Sequence, residues 1–154
     1  LVVMELRGAE LRRMLEIATS GGHGVAAVSG LKIKRLKVDT GQEGYWSRDL
    51  NGDGQKEDWE RNLIIELTDT DGARIDDNKT YKIAVSDFLA GGGDHQAIVL
   101  DRVPNSRKHY FQGVWQRDLA VDFIKKALQI KAEDFLKPDA PRIEFIPPSQ
   151  TFVK

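Results

Sequence analysis

Apolar and polar residues alternate along this chain with two periods, one typical of strands and one typical of helices. Residues 1–6 form an apolar, β-branched run that predicts a strand. A helix is predicted to begin at Gly8-Ala9-Glu10, and two glycines at residues 21–22 predict its end. Its apolar residues recur at helical spacing, at Leu11, Met14, Leu15 and Ala18.

Later segments carry similar signals. Residues 25–38 have the composition of a strand interrupted at Ser29-Gly30. The second half alternates apolar and basic side chains, with one slip in phase at Lys34-Arg35, which is typical of an antiparallel strand with one face in water. Asp71-Gly72 predicts a turn. Further strands are expected at residues 63–68, 80–85, 96–100 and 142–146, and a helix at residues 118–130 with Leu119, Phe123, Ala127 and Ile130 on one stripe.

These strands are joined mostly by turns rather than by helical crossovers. The pattern therefore predicts an α+β fold with mixed, mainly antiparallel sheets and packed helices. The length of 154 residues fits one domain, which we place over residues 1–154 with a polar insertion at residues 40–61. The chain opens on a strand-like run without an initiator methionine, so we expect it to be a fragment of a longer protein.

Composition narrows the possible functions. The 23 basic residues nearly cancel the 24 acidic ones, so no global field favours a nucleic acid polymer. The absence of cysteine excludes disulfides, thiol catalysis and cysteine metal sites. No apolar run approaches the roughly 20 residues of a membrane span. His23, His95 and His109 are scattered without the carboxylate spacing of a dinuclear metal site, so we assign no catalytic residue.

A glycine-rich segment, residues 80–94, carries the clearest candidate chemistry. Its predicted strand leads into Gly91-Gly92-Gly93, where glycine permits positive φ and close approach of a ligand to the backbone. Phe88 offers a flat apolar face and Asp94 offers two acceptors. Such a pair suits a heteroaromatic base, because stacking contributes roughly 1–3 kcal/mol per base and hydrogen bonds fix its orientation. The alternative is that Phe88 is a core residue and the glycines a tight turn.

Residues 77–94 closely resemble the C-terminal domain of 5′-nucleotidases. In that family an extended segment ends in Asn/Ser-Phe-Leu-Ala-x-Gly-Gly-Asp-Gly-aromatic. The resemblance continues at residues 5–11, a strand–Gly–helix start, and residues 28–33, and includes a closing strand at Arg142-Ile143. It implies an α+β fold layered as α/β/β/α.

The resemblance also implies site residues. It places the substrate-binding side chains and backbone at Phe88, Gly92, Gly93, Asp94 and His95, with Phe88 stacking on the base and Asp94 contacting the ribose hydroxyls. The family's second stacking ring has its place near Val25, where this chain has no aromatic residue. His95 replaces the family's glycine and Gln96 its aromatic residue. His95 is either an exposed loop residue or a partial substitute for the missing ring.

The family's hydrolytic chemistry lies elsewhere. The resemblance implies an N-terminal metallophosphatase domain whose divalent metal ions activate water, so we expect this fragment alone to be inactive. The implied partners are a nucleoside or nucleotide substrate and that domain. We expect a periplasmic, cell-surface or secreted location in a bacterium, because a single calcium loop, described next, is typical of extracytoplasmic proteins. The alternative function is a calcium-stabilised interaction or surface-binding domain that keeps the fold without nucleotide binding.

Calcium binding is predicted at residues 49–60, which fit the twelve-residue EF-hand loop. Gly54 stands at loop position six, where the loop turns sharply. The predicted calcium ligands are Asp49, Asn51, Asp53, the carbonyl of Gln55, Glu57 and the bidentate Glu60. Hard oxygen donors at alternate positions are what Ca²⁺ requires. We expect a structural ion in the insertion; the alternative is a solvated acidic loop.

A last cluster contains Tyr110, Phe111 and Trp115. Such residues more often form core or domain-interface packing than a ligand cage. If these side chains are exposed, the first explanation is docking of the absent N-terminal domain.

Overall fold

The computed structural model describes residues 1–20, 25–36, 49, 52–55, 57, 60, 64–127, 131 and 141–146. Within these ranges the strands are β1 (Val2–Arg7), β2 (Leu31–Leu36), β3 (Ile64–Asp69), β4 (Thr80–Val85), β5 (Lys108–Tyr110) and β6 (Ile143–Ile146). The helices are α1 (Gly8–Ala18), α2 (Asp87–Ala90), α3 (Ala97–Leu100) and α4 (Gln116–Ala127). The predicted α+β class is confirmed; the α/β/β/α layer order stays a prediction.

The first sheet has the strand order β4-β1-β5, with β1 antiparallel to both neighbours. Alternate side chains of β1, those of Val2, Met4 and Leu6, are completely buried. They face Val85, Ile83 and Tyr81, their partners on β4. The period-two pattern of the sequence thus becomes one apolar face of a sheet.

The second sheet has the order β3-β2-β6, with β2 antiparallel to β3 and parallel to β6. Its register shifts between Lys34 and Arg35, at the point where the apolar alternation slips in the sequence. Ile65 of β3 is the residue without a partner at this β-bulge. On β2, Ile33 and Arg35 are alternate residues that both face the interior, where they are 1% and 4% exposed. The Arg35 guanidinium lies 5.6 Å from the centre of the Phe145 ring on β6.

Helix α1 contacts strands of both sheets and supplies much of the core between them. It begins without a linker after β1, because the backbone N–H groups of Gly8 and Ala9 donate to the carbonyls of Lys79 and Asp77. A Cβ atom on Gly8 would overlap the carbonyl oxygen of Asp76. Only glycine allows this approach of two backbones. The buried apolar side chains of α1 are Leu11, Met14, Leu15 and Ile17.

An ion pair ties the first turn of α1 to the segment before β5. Arg107 bonds Glu10 through Nη2 at 2.6 Å and donates from Nε to the Glu5 carbonyl, also at 2.6 Å. Partial burial would raise the pKa of Glu10, but hydrogen bonds from Arg107 and from the Arg7 backbone N–H lower it below its ordinary value. The charged form of Glu10 therefore stabilises this junction.

Two sequence-based expectations were wrong. Residues 96–100, expected to be a strand, lie in the turn and helix around α3, and residues 25–30 lie outside β2. A short apolar run such as Ala97–Leu100 fits a strand and a buried helical turn equally well by periodicity. The tertiary structure decides for the helix, because Gln96, Val99 and Leu100 are all buried on its inner side.

Helix α4 confirms the helix expected at residues 118–130 as far as Ala127; residues 128–130 lie outside the described part of the chain. None of its residues is buried. None of the helices in the described ranges is long and apolar enough to cross a membrane.

Candidate functional site

The glycine-rich segment continues from β4 into the short helix α2 and then into a turn that leads to α3. Ser86 begins α2 as its N-cap, and its Oγ accepts a hydrogen bond from the Leu89 N–H at 3.2 Å. Ala90 points into the core, whereas Phe88 is 61% exposed. The alternative that Phe88 is a core residue therefore does not describe this ring.

Gly93 explains how an exposed ring is held in place. The Phe88 ring lies on the Gly93 backbone, at the point where any Cβ on residue 93 would stand. One face of the ring is thus supported by protein while much of the side chain is open to solvent. Glycine at this position gives a preformed stacking surface, because the ring needs no rearrangement before a planar ligand reaches it.

The turn around Gly93 contains residues with positive φ that are not glycines. Gly92 has φ +93°, but the next positive values belong to Asp94 at +51° and His95 at +62°. This conformation costs a non-glycine residue about 1–2 kcal/mol. Such local strain persists where the surroundings fix the backbone, and it is frequent at functional sites.

Asp94 is partly buried and His95 is exposed. None of the other described residues donates a hydrogen bond to the Asp94 carboxylate. Its two oxygens are therefore available as acceptors beside the exposed ring of Phe88. The exposure of His95 agrees with the first of its two interpretations, a loop residue.

Gln96, where the resembling family carries an aromatic residue, is an anchor that sequence reasoning did not identify. Its side chain is completely buried, and Nε2 donates to the carbonyl of Met14 on α1 at 3.2 Å. This bond fixes the end of the glycine turn against the core. A glutamine following two polar residues gives no sequence signal for such burial.

Two clefts flank helix α2. An inter-sheet cleft of about 760 Å³ has a mainly apolar lining that includes Ala26, Ala27 and Val28 on one side and Ser86 and Leu89 on the other. The segment near Val25 therefore approaches the glycine-rich segment across this space, but it presents small aliphatic side chains. Among the described residues of this segment, 25–30, no ring stands there to oppose Phe88.

An aromatic cleft of about 570 Å³ lies beyond Asp87. Its lining includes Leu1, Ser86, Asp87, Tyr110, Phe111 and Trp115. Successive helical residues point about 100° apart, so Phe88 projects between the directions of Asp87 and Leu89. Phe88 and residues 92–95 line neither cleft. We call Phe88 and residues 92–95 the shelf; it is an exposed surface that lies between the two clefts.

The insertion shows a tight acidic turn in its described residues. The Asp49 carboxylate accepts hydrogen bonds from the N–H groups of Gly52, Asp53 and Gly54, at 2.6, 3.1 and 2.8 Å. Gly52 and Gly54 have φ near +80°. This geometry fits the sharp turn required at loop position six. Asn51, a predicted ligand, lies outside the described residues.

The remaining predicted ligands fit a cation less completely. Glu60 is fully buried, and its Oε2 accepts a hydrogen bond from the Glu57 N–H at 3.0 Å. Asp53 Oδ1 accepts one from the Gln55 N–H at 2.7 Å, and the exposed Gln55 carbonyl is the predicted ligand. Among the residues with described positions, no three histidine or acidic side chains are grouped to hold a metal ion. The oxygen donor set suits Ca²⁺, and the ion itself stays a prediction.

The sequence profile of the 5′-nucleotidase C-terminal domain matches residues 1–101. The chain belongs to the 5′-nucleotidase C-terminal domain family. The match ends just beyond α3 and includes the exposed Phe88, the glycine turn and Asp94. The resemblance stated from residues 77–94 is thereby confirmed, whereas β5, α4 and β6 lie beyond the matched range.

Solved structures with the same fold include two nucleotidases. A 5′-nucleotidase precursor from Thermus thermophilus aligns with a TM-score of 0.66 and 21% identity over 94% of this chain and 25% of its own. A Haemophilus influenzae NAD nucleotidase aligns with a TM-score of 0.64 and 13% identity over 95% of this chain and 24% of its own. This family member thus spans about a quarter of those proteins. No curated protein sequence matches the chain.

Proposed function

We propose that this 5′-nucleotidase C-terminal domain recognises the nucleoside part of a substrate whose phosphate is hydrolysed by a preceding metal-dependent domain. The observation that carries the proposal is the exposed Phe88 ring, supported from behind by Gly93 and followed by the available carboxylate of Asp94. The family membership supports the same reading. In this proposal the chain binds the nucleoside and the preceding domain supplies the catalytic groups.

The chemistry of the shelf fits a nucleoside in two respects. A base stacked on the open face of Phe88 gains roughly 1–3 kcal/mol, and any of the common bases has the required π-face. Asp94 accepts hydrogen bonds from neighbouring hydroxyl groups of a sugar, and bonds to a charged acceptor are about twice as strong as neutral ones. Stacking sets the affinity and Asp94 sets the orientation.

The structural role we propose for calcium is to order the insertion at residues 49–60. The oxygen-rich sequence and the positive φ of Gly54 support it. Added CaCl₂ should raise the melting temperature, and EDTA should reverse the rise. A Glu60→Gln variant should lose the response because the bidentate ligand is gone. An equal melting temperature with CaCl₂ and with EDTA would remove calcium from the proposal.

One observation favours a second candidate, an interaction domain stabilised by calcium. Phe88 lines neither cleft, and the described residues 25–30, which face α2 across the inter-sheet cleft, include no aromatic ring. One-sided stacking binds a free base more weakly than a two-sided clamp does. An interaction domain would keep the fold and the shelf without holding a nucleoside.

A calorimetric titration with adenosine and with AMP separates the two candidates. The first predicts binding that weakens by roughly 10-fold or more in Phe88→Ala, in line with one lost stacking contact. Asp94→Asn should weaken adenosine but leave adenine unchanged, because only the former carries the sugar. Phe111→Ala, at an exposed phenylalanine outside the glycine turn, is the matched control. No binding by the unmodified chain, or equal binding by Phe88→Ala, would leave the interaction domain as the answer.

A further inference from the structure

Exposed apolar side chains are concentrated in one short stretch of this domain. Seven of the eleven exposed large hydrophobic residues in the described part of the chain fall within residues 110–124. We call five of them the aromatic face: Tyr110, Phe111, Trp115, Leu119 and Ile124. They are between 49% and 66% exposed. Such a concentration of exposed apolar side chains on a globular domain marks an interaction site.

Helix α4 cannot owe its stability to its own sequence. A helix of 12 residues is marginal in water, because the nucleation penalty is spread over too few hydrogen bonds. Leu119 and Ile124 lie about 140° apart on its surface and bound an apolar stripe, while Asp118, Asp122 and Lys125 lie on the other side. An amphipathic helix without one buried residue is typical of an element that packs against something further.

The backbone leading into β1 runs along the same surface. The Leu1 carbonyl accepts a hydrogen bond from the Phe111 N–H at 3.0 Å, and the Leu1 nitrogen lies 3.4 Å from the Val114 carbonyl oxygen. Leu1 also lines the aromatic cleft with Tyr110, Phe111 and Trp115. Any polypeptide that precedes β1 is therefore delivered to the aromatic face.

We propose that the aromatic face is the docking surface for the polypeptide that precedes Leu1 in the complete enzyme. The family is by description a C-terminal domain, and about three quarters of each aligned nucleotidase lies outside the match. A segment tethered at Leu1 reaches this face at a high effective concentration, so modest apolar contacts suffice. The inference rests on the proposed function only in requiring a preceding domain.

Docking at this place has a consequence for the ligand shelf. Ser86 and Asp87 belong to the wall of the aromatic cleft, and Phe88 follows them on the same helical turn. A domain seated in the cleft therefore stands next to the Phe88 ring.

The charges on α4 are of both signs: Arg117, Lys125 and Lys126 are basic, and Asp118 and Asp122 are acidic. This mixture disfavours an anionic lipid surface as the occupant of the aromatic face.

Hydrogen exchange tests the occupant directly. The chain of residues 1–154 and the longer polypeptide carrying the preceding domain are compared for exchange in the segment 108–124. The longer polypeptide should slow exchange there by about tenfold or more, because docking stabilises the marginal helix α4 against local opening. Residues 64–69 of β3, already paired within the second sheet, should exchange alike in both.

A variant pair provides the second measurement. Leu119→Ser should lower the melting temperature of the longer polypeptide by several degrees more than that of the chain alone, because only the former covers this side chain. Ile65→Ser, an exposed residue on β3, should have the same effect in both contexts. Equal exchange in the two polypeptides, or equal effects of Leu119→Ser, overturns the proposal.

The other occupants give different results. Protection of residues 108–124 that rises with the concentration of the chain alone, together with a dimer in sedimentation, assigns the face to a second copy. Protection by anionic phospholipid vesicles assigns it to a membrane. Either result contradicts docking of the preceding polypeptide. Nucleoside titration is independent of both: a protected face without adenosine binding removes the proposed function and leaves the docking.

Discussion

Helices α1 and α4 have nearly the same length, 11 and 12 residues, and both carry an apolar stripe. Helix α1 buries Leu11, Met14, Leu15 and Ile17 against two sheets, whereas α4 buries none of its residues. An amphipathic pattern therefore predicts that a helix forms, but not that its partner lies in the same part of the chain. The matched sequence range ends before α4, which fits this difference.

The largest expected effect contrasts one leucine from each helix. Leu15→Ala should destabilise the chain by about 3 kcal/mol, because Leu15 is 5% exposed and its removal leaves a cavity. Leu119→Ala should cost less than about 0.5 kcal/mol in residues 1–154, because surface substitutions usually stay within that range. Urea unfolding measures both. Similar losses would show that α4 packs in the isolated chain as α1 does.

Next comes the junction that fixes α1 to the first sheet. Gly8→Ala should destabilise the chain by about 2 kcal/mol, because the new methyl group overlaps the Asp76 carbonyl and forces the backbones apart. Gly72→Ala is the control: its φ is +90°, yet nothing lies near its missing Cβ. It should lose about 1 kcal/mol from conformation alone. A Gly8→Ala variant as stable as Gly72→Ala would contradict the close approach.

A smaller effect concerns the shelf that α1 supports through Gln96. Gly93→Ala should displace the Phe88 ring without removing it, since the added Cβ occupies the ring's place. Adenosine affinity should fall by about 1 kcal/mol, part of one stacking contact. Calorimetry on Gly93→Ala and on Gly91→Ala, where the nearest atom is 3.2 Å away, measures the difference. Equal affinities would mean that the ring position is not what binds the base.

The smallest effect tests the Arg107–Glu10 ion pair, which joins α1 to the segment before β5. The folded pKa of Glu10 lies below its ordinary value of 4.5, so the pair contributes above that pH and loses its contribution as the pH falls through the folded value. Glu10→Gln should cost about 0.5 kcal/mol at pH 7, after allowing for partial exposure. Urea midpoints from pH 7 to pH 3 should converge with the unmodified chain. A constant difference across that range would exclude the ion pair as the cause.

Much of the fold follows from local patterns. The strand at residues 80–85 has the predicted bounds, and the phase slip at Lys34-Arg35 becomes a β-bulge. Residues 96–100 were predicted wrongly, because an apolar run this short carries no period that distinguishes strand from helix. Of the candidate site, the sequence identified Phe88, Gly92, Gly93 and Asp94 but not the ring resting on Gly93, since that contact depends on side-chain direction in three dimensions.

By itself, the sequence determined the family, the α+β class and the residues of the glycine turn, because each rests on spacing within a few tens of positions. The tertiary structure alone decided which elements are covered. It exposed Phe88 while burying Gln96, and it left the apolar stripe of α4 without a buried residue. Burial depends on which residues pack against a segment from elsewhere in the chain. A hydrophobic pattern predicts that a segment will be covered, but not which surface covers it.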